Sequence, residues 1–166
     1  MSILDRFRLD HRQLLITGGS RGLGREMALA IADAGADVIL AGRNLDSLNQ
    51  TANDIRALGR EAVPVQGDFA DPEFVERICP ELLSKHGPID ILINNIGGRQ
   101  INIPTEDLPL DEWRRILDLN LTSTFLCTKI IGGAMIERGK GGRIINIASV
   151  SGMIANRGIG GRSYET

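Results

Sequence analysis

The chain has 166 residues, 42% of them apolar and 24% charged, the composition of an ordinary globular domain rather than of a disordered or collagen-like chain. Nineteen Lys and Arg against 21 Asp and Glu leave a formal charge of −2, so no basic excess points to nucleic acid, and aromatic residues at 4% argue against stacking platforms for single strands. Met1 to Asp10 carries Asp5, Arg6, Arg8 and Asp10 without the apolar stretch of a secretory signal, and no run approaches 18 apolar residues, so a cytoplasmic protein with no membrane partner is expected.

The first apolar run, Gln13 to Thr17, reads as a buried strand and leads into a helix over Gly22 to Ala34, with Leu23, Met27, Ile31 and Ala34 on its apolar face. A second strand, Asp37 to Ala41, precedes a helix that Asn44 caps and Gly59 ends. The third strand, Ala62 to Gln66, holds Pro64, which removes a ladder donor and assigns it to a sheet edge. Asp71-Pro72-Glu73 then reads as N-cap, first-turn proline and acidic first turn of a helix running to about His86. Strands follow over Ile89 to Asn94 and Arg143 to Ala148, separated by the longest helix, Pro109 to Arg138, which the glycines after it close. Nearly all-apolar strands alternating with helices define a parallel sheet covered on both faces. Right-handed crossovers then give an α/β, Rossmann-like, doubly wound sheet in three layers, read as a single domain over residues 1–166. Cys79 and Cys127 match no metal or redox spacing and read as buried reduced thiols. His11 and His86 read as surface residues at element ends, so no metal is expected.

The junction between the first strand and first helix is Thr17-Gly18-Gly19-Ser20-Arg21-Gly22-Leu23-Gly24. Gly18 allows a tight exit from the strand, Gly22 lets a pyrophosphate approach the backbone, and Gly24 lets the helix lie close to the sheet. The amides of the turn, with Ser20, Arg21 and Leu23 among them, and the helix dipole then face a phosphate group. The alternative is a tight turn with no ligand.

The spacing T-G-x-x-x-G-x-G resembles the fingerprint of the short-chain dehydrogenase/reductases. The resemblance continues through Asp68-Phe69, Asn94-Asn95-Ile96-Gly97, Asn120, Ser149 and Tyr164, in that order along the chain. It departs at Ile96, where the family usually has alanine. The resemblance implies that Asp68 and Phe69 border an adenine and that Asn95 and Gly97 line the nicotinamide side. Read without it, Asp68 is a turn residue before the Asp71 cap, and Asn94-Asn95 is a strand-end turn. In dinucleotide folds an acid at the end of the second strand binds the ribose 2′-hydroxyl, whereas an arginine accommodates a 2′-phosphate. Here that strand ends Ala41-Gly42-Arg43, Arg21 lies in the adjacent turn, and Asp46 is too far along the next helix to serve, so NADP(H) is favoured over NAD(H).

Hydride transfer to a carbonyl leaves charge on its oxygen, which a proton donor must meet. The resemblance gives that role to Tyr164, orientation of the oxygen to Ser149, and support of a water-linked proton path to Asn120. Ser151, 13 residues before Tyr164, rivals Ser149, which is 15 before it. Asn120 among Leu117, Leu119, Leu121 and Phe125 also reads simply as a polar residue with a structural partner. The family's lysine four residues after the tyrosine falls two positions past Thr166, and an unassisted tyrosine titrates near ~10. The chain therefore reads as a truncated member without its last strands, and Arg143 to Ala148 becomes an apolar edge prone to association.

The leading function is an NADP-dependent oxidoreductase acting on a small carbonyl or secondary alcohol. A catalytically inert nucleotide-binding fragment, or an interaction module on the same fold, are the alternatives. The chain is similar both to 3-oxoacyl-carrier-protein reductases and to gluconate-type dehydrogenases of the family, without a choice between them. Arg99 at a substrate entrance is balanced by a plain solvated loop residue. The resemblance further implies homodimers or homotetramers built through the long helix and the one after it.

Overall fold

The computed structural model describes residues 3–98 and 103–150. Ser151 and Tyr164, together with Arg99, lie outside them. A short turn of 3-10 helix at Ile3–Phe7 leads into β1 (Gln13–Thr17), α1 (Gly22–Asp33), β2 (Asp37–Gly42), α2 (Leu45–Ala57) and β3 (Ala62–Gln66). Next come α3 (Pro72–His86), β4 (Ile91–Asn94), α4 (Leu110–Leu117), a π-helical turn (Asp118–Thr122), α5 (Ser123–Arg138) and β5 (Arg143–Asn146). The five strands are all parallel, in the order β3-β2-β1-β4-β5. The reversal of direction between β1 and β4 is the switch point where ligands of open α/β sheets gather.

Alternate side chains of each strand enter opposite cores, as a period of two requires. Leu14, Ile16, Val38, Leu40, Ile91 and Ile93 pack against α1 and α2, while Leu15, Ile39, Ala41 and Leu92 pack against α3 and α5. The caps act as the sequence predicts: Asn44 accepts from the Ser47 amide at 2.8 Å, and Asp71 from the Glu73 amide at 3.0 Å. Pro64 does sit in an edge strand.

One face differs from the sequence expectation. In α1 the buried residues are Gly24, Ala28 and Ala32, whereas Leu23 is 72% exposed and Met27 and Ile31 are half-buried. The helix runs so close to the sheet that its small-residue stripe lies directly beneath it, Met27 and Ile31 pack at the margin of that core, and Leu23 alone of the expected face is turned out.

The two cysteines meet where α3 packs on α5. Both are buried, and a hydrogen bond with Cys79, reinforced by burial, pushes the Cys127 thiol far above its ordinary range. Cys127 is thereby held protonated and unreactive.

The helix Leu110–Arg138 is long and apolar enough in composition to cross a membrane, a property the search for uninterrupted apolar runs misses. Its inner face, with Leu126, Cys127, Ile131 and Met135, is part of the core. Among the described residues no strand pairs with the outer side of β5, and Ile145 and Ile147 are 44% and 39% exposed. An open apolar edge templates pairing with another chain. Light scattering of the 166-residue chain is expected to show association that Ile145→Lys reduces without altering the circular dichroism spectrum; a monodisperse monomer before substitution would contradict this.

Candidate dinucleotide cleft

A hollow of about 430 Å³ opens at the C-terminal ends of β1, β2 and β4. The glycine turn forms one wall through Gly18, Ser20 and Arg21, and the end of β2 with the start of α2 forms another through Gly42, Arg43, Asn44 and Ser47. Asp68 and Asn95 to Gly97 complete it, with Leu119 at its margin.

The turn is shaped by close backbone approach. The Gly18 and Gly19 amides donate to Ala41 O at 2.8 and 3.3 Å, which folds the turn back over β2. Gly18 has a left-handed φ of +70°, and Gly22 one of +54° with open space where a side chain would stand. Any Cβ on Gly24 would collide with the Gly18 carbonyl and lie 2.5 Å from Asn95 Nδ2. No side chain caps the start of α1, so its first amides remain available to an anion.

Two polar side chains lock the turn to β4. Thr17, buried at the end of β1, accepts from the Asn95 and Ile96 amides at 3.0 and 3.2 Å. Asn95 Nδ2 donates to Thr17 O and Gly18 O, each at 3.2 Å. Asn95 thus lines the hollow while its amide hydrogens clasp the glycine turn. Its neighbour Asn94 is buried and donates to Asn146 Oδ1 at 2.8 Å and to Thr128 Oγ1 at 3.1 Å, joining β4 to β5 and α5.

Arg21 and Arg43 line the same hollow, and among the described residues neither is paired with a carboxylate. Asp68 is exposed and accepts from the Ala70 amide at 3.0 Å, so it shapes the turn before α3 as well as lining the hollow. Phe69 is fully buried, edge-on to Phe74 with ring centroids 5.4 Å apart, and belongs to the core. Leu23 projects from the start of α1 into solvent.

Asn120 stands in the π-helical turn. Its Nδ2 donates to Ile116 O at 2.8 Å and to Gly98 O at 3.0 Å, while Oδ1 accepts from Gly98 N at 2.8 Å. The partner of this half-buried asparagine is therefore the loop after β4. Its apolar neighbours do not enclose it, since Leu121 and Phe125 are 63% and 59% exposed. Ser149 is exposed just beyond β5, on the same edge of the sheet as the hollow.

The sequence places Thr17 and Asn94 in their motifs without a role of their own, and does not single out Ser47. A polar residue closing an otherwise apolar strand was the available signal for Thr17 and Asn94. Nothing in the local sequence marks Ser47, because its place in the hollow depends on how α2 lies beside the turn.

Bare backbone at a strand–helix crossover, amides left open, and cations without counter-charge on a Rossmann-like sheet fit a nucleotide diphosphate. The short chain dehydrogenase family pattern matches residues 12–165, and the chain belongs to that family. It is 39% identical over 145 residues to the 3-oxoacyl-[acyl-carrier-protein] reductase of Synechocystis, a match covering 87% of this chain and 58% of that protein. A short-chain type dehydrogenase/reductase from Mycobacterium marinum superposes with a TM-score of 0.90 at 39% identity, over 99% of this chain and 66% of the other. A 7α-hydroxysteroid dehydrogenase complexed with NADH and 7-oxo glycochenodeoxycholic acid gives 0.85 at 33% identity, over 94% and 60%. The chain spans about 60% of the length of the curated relatives it matches.

Proposed function

We propose that residues 1–166 form the dinucleotide-binding domain of an oxidoreductase that interconverts a carbonyl and a secondary alcohol with NADP(H). The observation that carries the choice of nucleotide is the pair Arg21 and Arg43 in one hollow, with no acid at the end of β2. A 2′-phosphate between two guanidiniums accepts charge-assisted hydrogen bonds, which a 2′-hydroxyl cannot match.

The glycine turn and the open end of α1 hold the diphosphate, and Asn95 keeps the turn in shape. The nicotinamide, when bound, supplies or accepts the hydride. Tyr164 gives a proton to the carbonyl oxygen, Ser149 orients that oxygen, and Asn120 holds the loop after β4 against the helix. The outer face of the long helix, where Leu121, Phe125 and Ile136 are exposed, suits a homo-oligomer.

Calorimetric titration tests the nucleotide choice. NADPH is expected to bind about tenfold or more tightly than NADH, and Arg21→Ala with Arg43→Ala to remove that margin while leaving NADH affinity nearly unchanged. Equal affinities in the unsubstituted chain, or a double variant that weakens both nucleotides alike, would refute it. NADPH consumption with a panel of ketones then tests the oxidoreductase reading itself.

A further inference from the structure

A second hollow, of about 290 Å³, lies where β1, β4 and β5 begin, at the edge of the sheet opposite the glycine turn. Four cations line it: Arg8, Arg12, Lys140 and Arg143. The one carboxylate in its wall, Asp90, is already engaged. It accepts from Arg12 at 3.2 Å and from the Gln13 amide at 3.0 Å, and pairs with Arg138 at 3.0 Å. Arg8 is balanced by Asp10 at 2.6 Å. Lys140 has no ion-pair partner among the described residues, and Arg143 spends one hydrogen on Gly142 O at 2.8 Å. The wall therefore carries more positive charge than Asp90 in the wall and Asp10 beside it neutralise.

The backbone beside these cations is also open. The segment from Gly139 to Gly142 alternates in hand, with φ of +66° at Gly139 and +72° at Gly141. The amides of Lys140, Gly141 and Gly142 make no hydrogen bond to another described residue. Successive unpaired amides in a turn of this kind make an anion-binding concavity, and flanking guanidinium and ammonium groups add charge-assisted donors. The loop is anchored at both ends, by Arg138 on Gly141 O at 2.9 Å and by the Arg143 amide on Asp90 O at 2.9 Å.

We propose that this hollow binds a phosphoryl group of a small polyanion, at a site separate from the dinucleotide cleft. Arg143 and Lys140 supply the free charge, the Lys140–Gly142 amides supply the cradle, and Asp90 fixes Arg12 and Arg138 beside it. The inference does not depend on the nucleotide reading, because no residue is shared between the two hollows.

Inorganic pyrophosphate is the probe, followed by residue-resolved amide NMR of the 166-residue chain at constant ionic strength. Saturable shifts are expected at Lys140, Gly141 and Gly142. Lys140→Ala with Arg143→Ala, two exposed side chains, is expected to weaken that affinity about tenfold or more, leaving any shifts at Gly18 to Gly24 as they were. Equilibrium dialysis of labelled pyrophosphate on both forms gives the same comparison if association broadens the spectra; there a reduced bound fraction in the double variant supports the site. Shifts at the loop that sodium chloride reproduces, no saturable shift there, or an unchanged affinity in the double variant would overturn the proposal.

Discussion

Gly24→Ala is expected to lower stability by about 3 kcal/mol and to abolish nucleotide binding, although it adds a single methyl group. The added carbon would meet the Gly18 carbonyl and Asn95 Nδ2, and neither can move without opening the turn. Backbone cannot yield as the end of a flexible side chain does, so the cost belongs at the upper end of overpacking penalties. For a chain of this size that corresponds to a fall in Tm of roughly 6–12 °C. Gly133→Ala supplies the internal comparison. Gly133 also lies in a helix, yet nothing stands within 4 Å of its missing Cβ, so alanine there gains helix propensity and stabilises by up to about 1 kcal/mol. The same substitution in two helices thus has opposite signs. Thermal unfolding followed by circular dichroism measures both, and titration with NADPH measures the loss at Gly24. A Gly24→Ala protein as stable as the unsubstituted chain would mean that α1 does not approach the turn as closely as described.

That contrast also shows what a sequence reveals and what it withholds. Apolar runs marked all five strands: in the central β1, β2 and β4 burial on both faces leaves no room for polar residues, and the edge strands β3 and β5 keep the apolar pattern although they are more exposed. The glycine spacing marked the turn, because no other residue allows its backbone path. Pro64 placed β3 at an edge for an equally local reason. On α1 the periodicity is right for Met27 and Ile31, which pack against the core, and wrong for Leu23, which is exposed, because only the helix–sheet distance decides that Gly24, Ala28 and Ala32 lie innermost. Contacts between distant segments were invisible for the same reason. Asn95 was legible as part of the motif after β4 but not as the clasp on Gly18, nor was Cys79 legible as the partner of Cys127. The π-helical turn had no signal of its own, for Asp118 to Thr122 continues the helical pattern on either side.

Asn120→Ala is expected to lower stability by about 1–3 kcal/mol and to weaken nucleotide binding, and Asn120→Asp to be worse still. The side chain uses both Nδ2 hydrogens and one Oδ1 lone pair, tying Ile116 O to both backbone groups of Gly98. Alanine leaves these groups to water, which reaches Gly98 because that residue is only half-buried. Aspartate keeps the acceptor for Gly98 N but turns a negative oxygen toward two carbonyl oxygens, exchanging two attractions for two repulsions. A reading based on size and shape ranks aspartate nearest to asparagine; the hydrogen-bond pattern ranks it last. The loop it holds carries Ile96 and Gly97 into the cleft, so loosening it should also weaken NADPH binding, with Asp below Ala below Asn in both measurements. Parallel melting curves and titrations of the three proteins check the order. An aspartate variant indistinguishable from asparagine would show that the contacts to Gly98 do not hold the loop, leaving the π-helical turn without the role assigned to it.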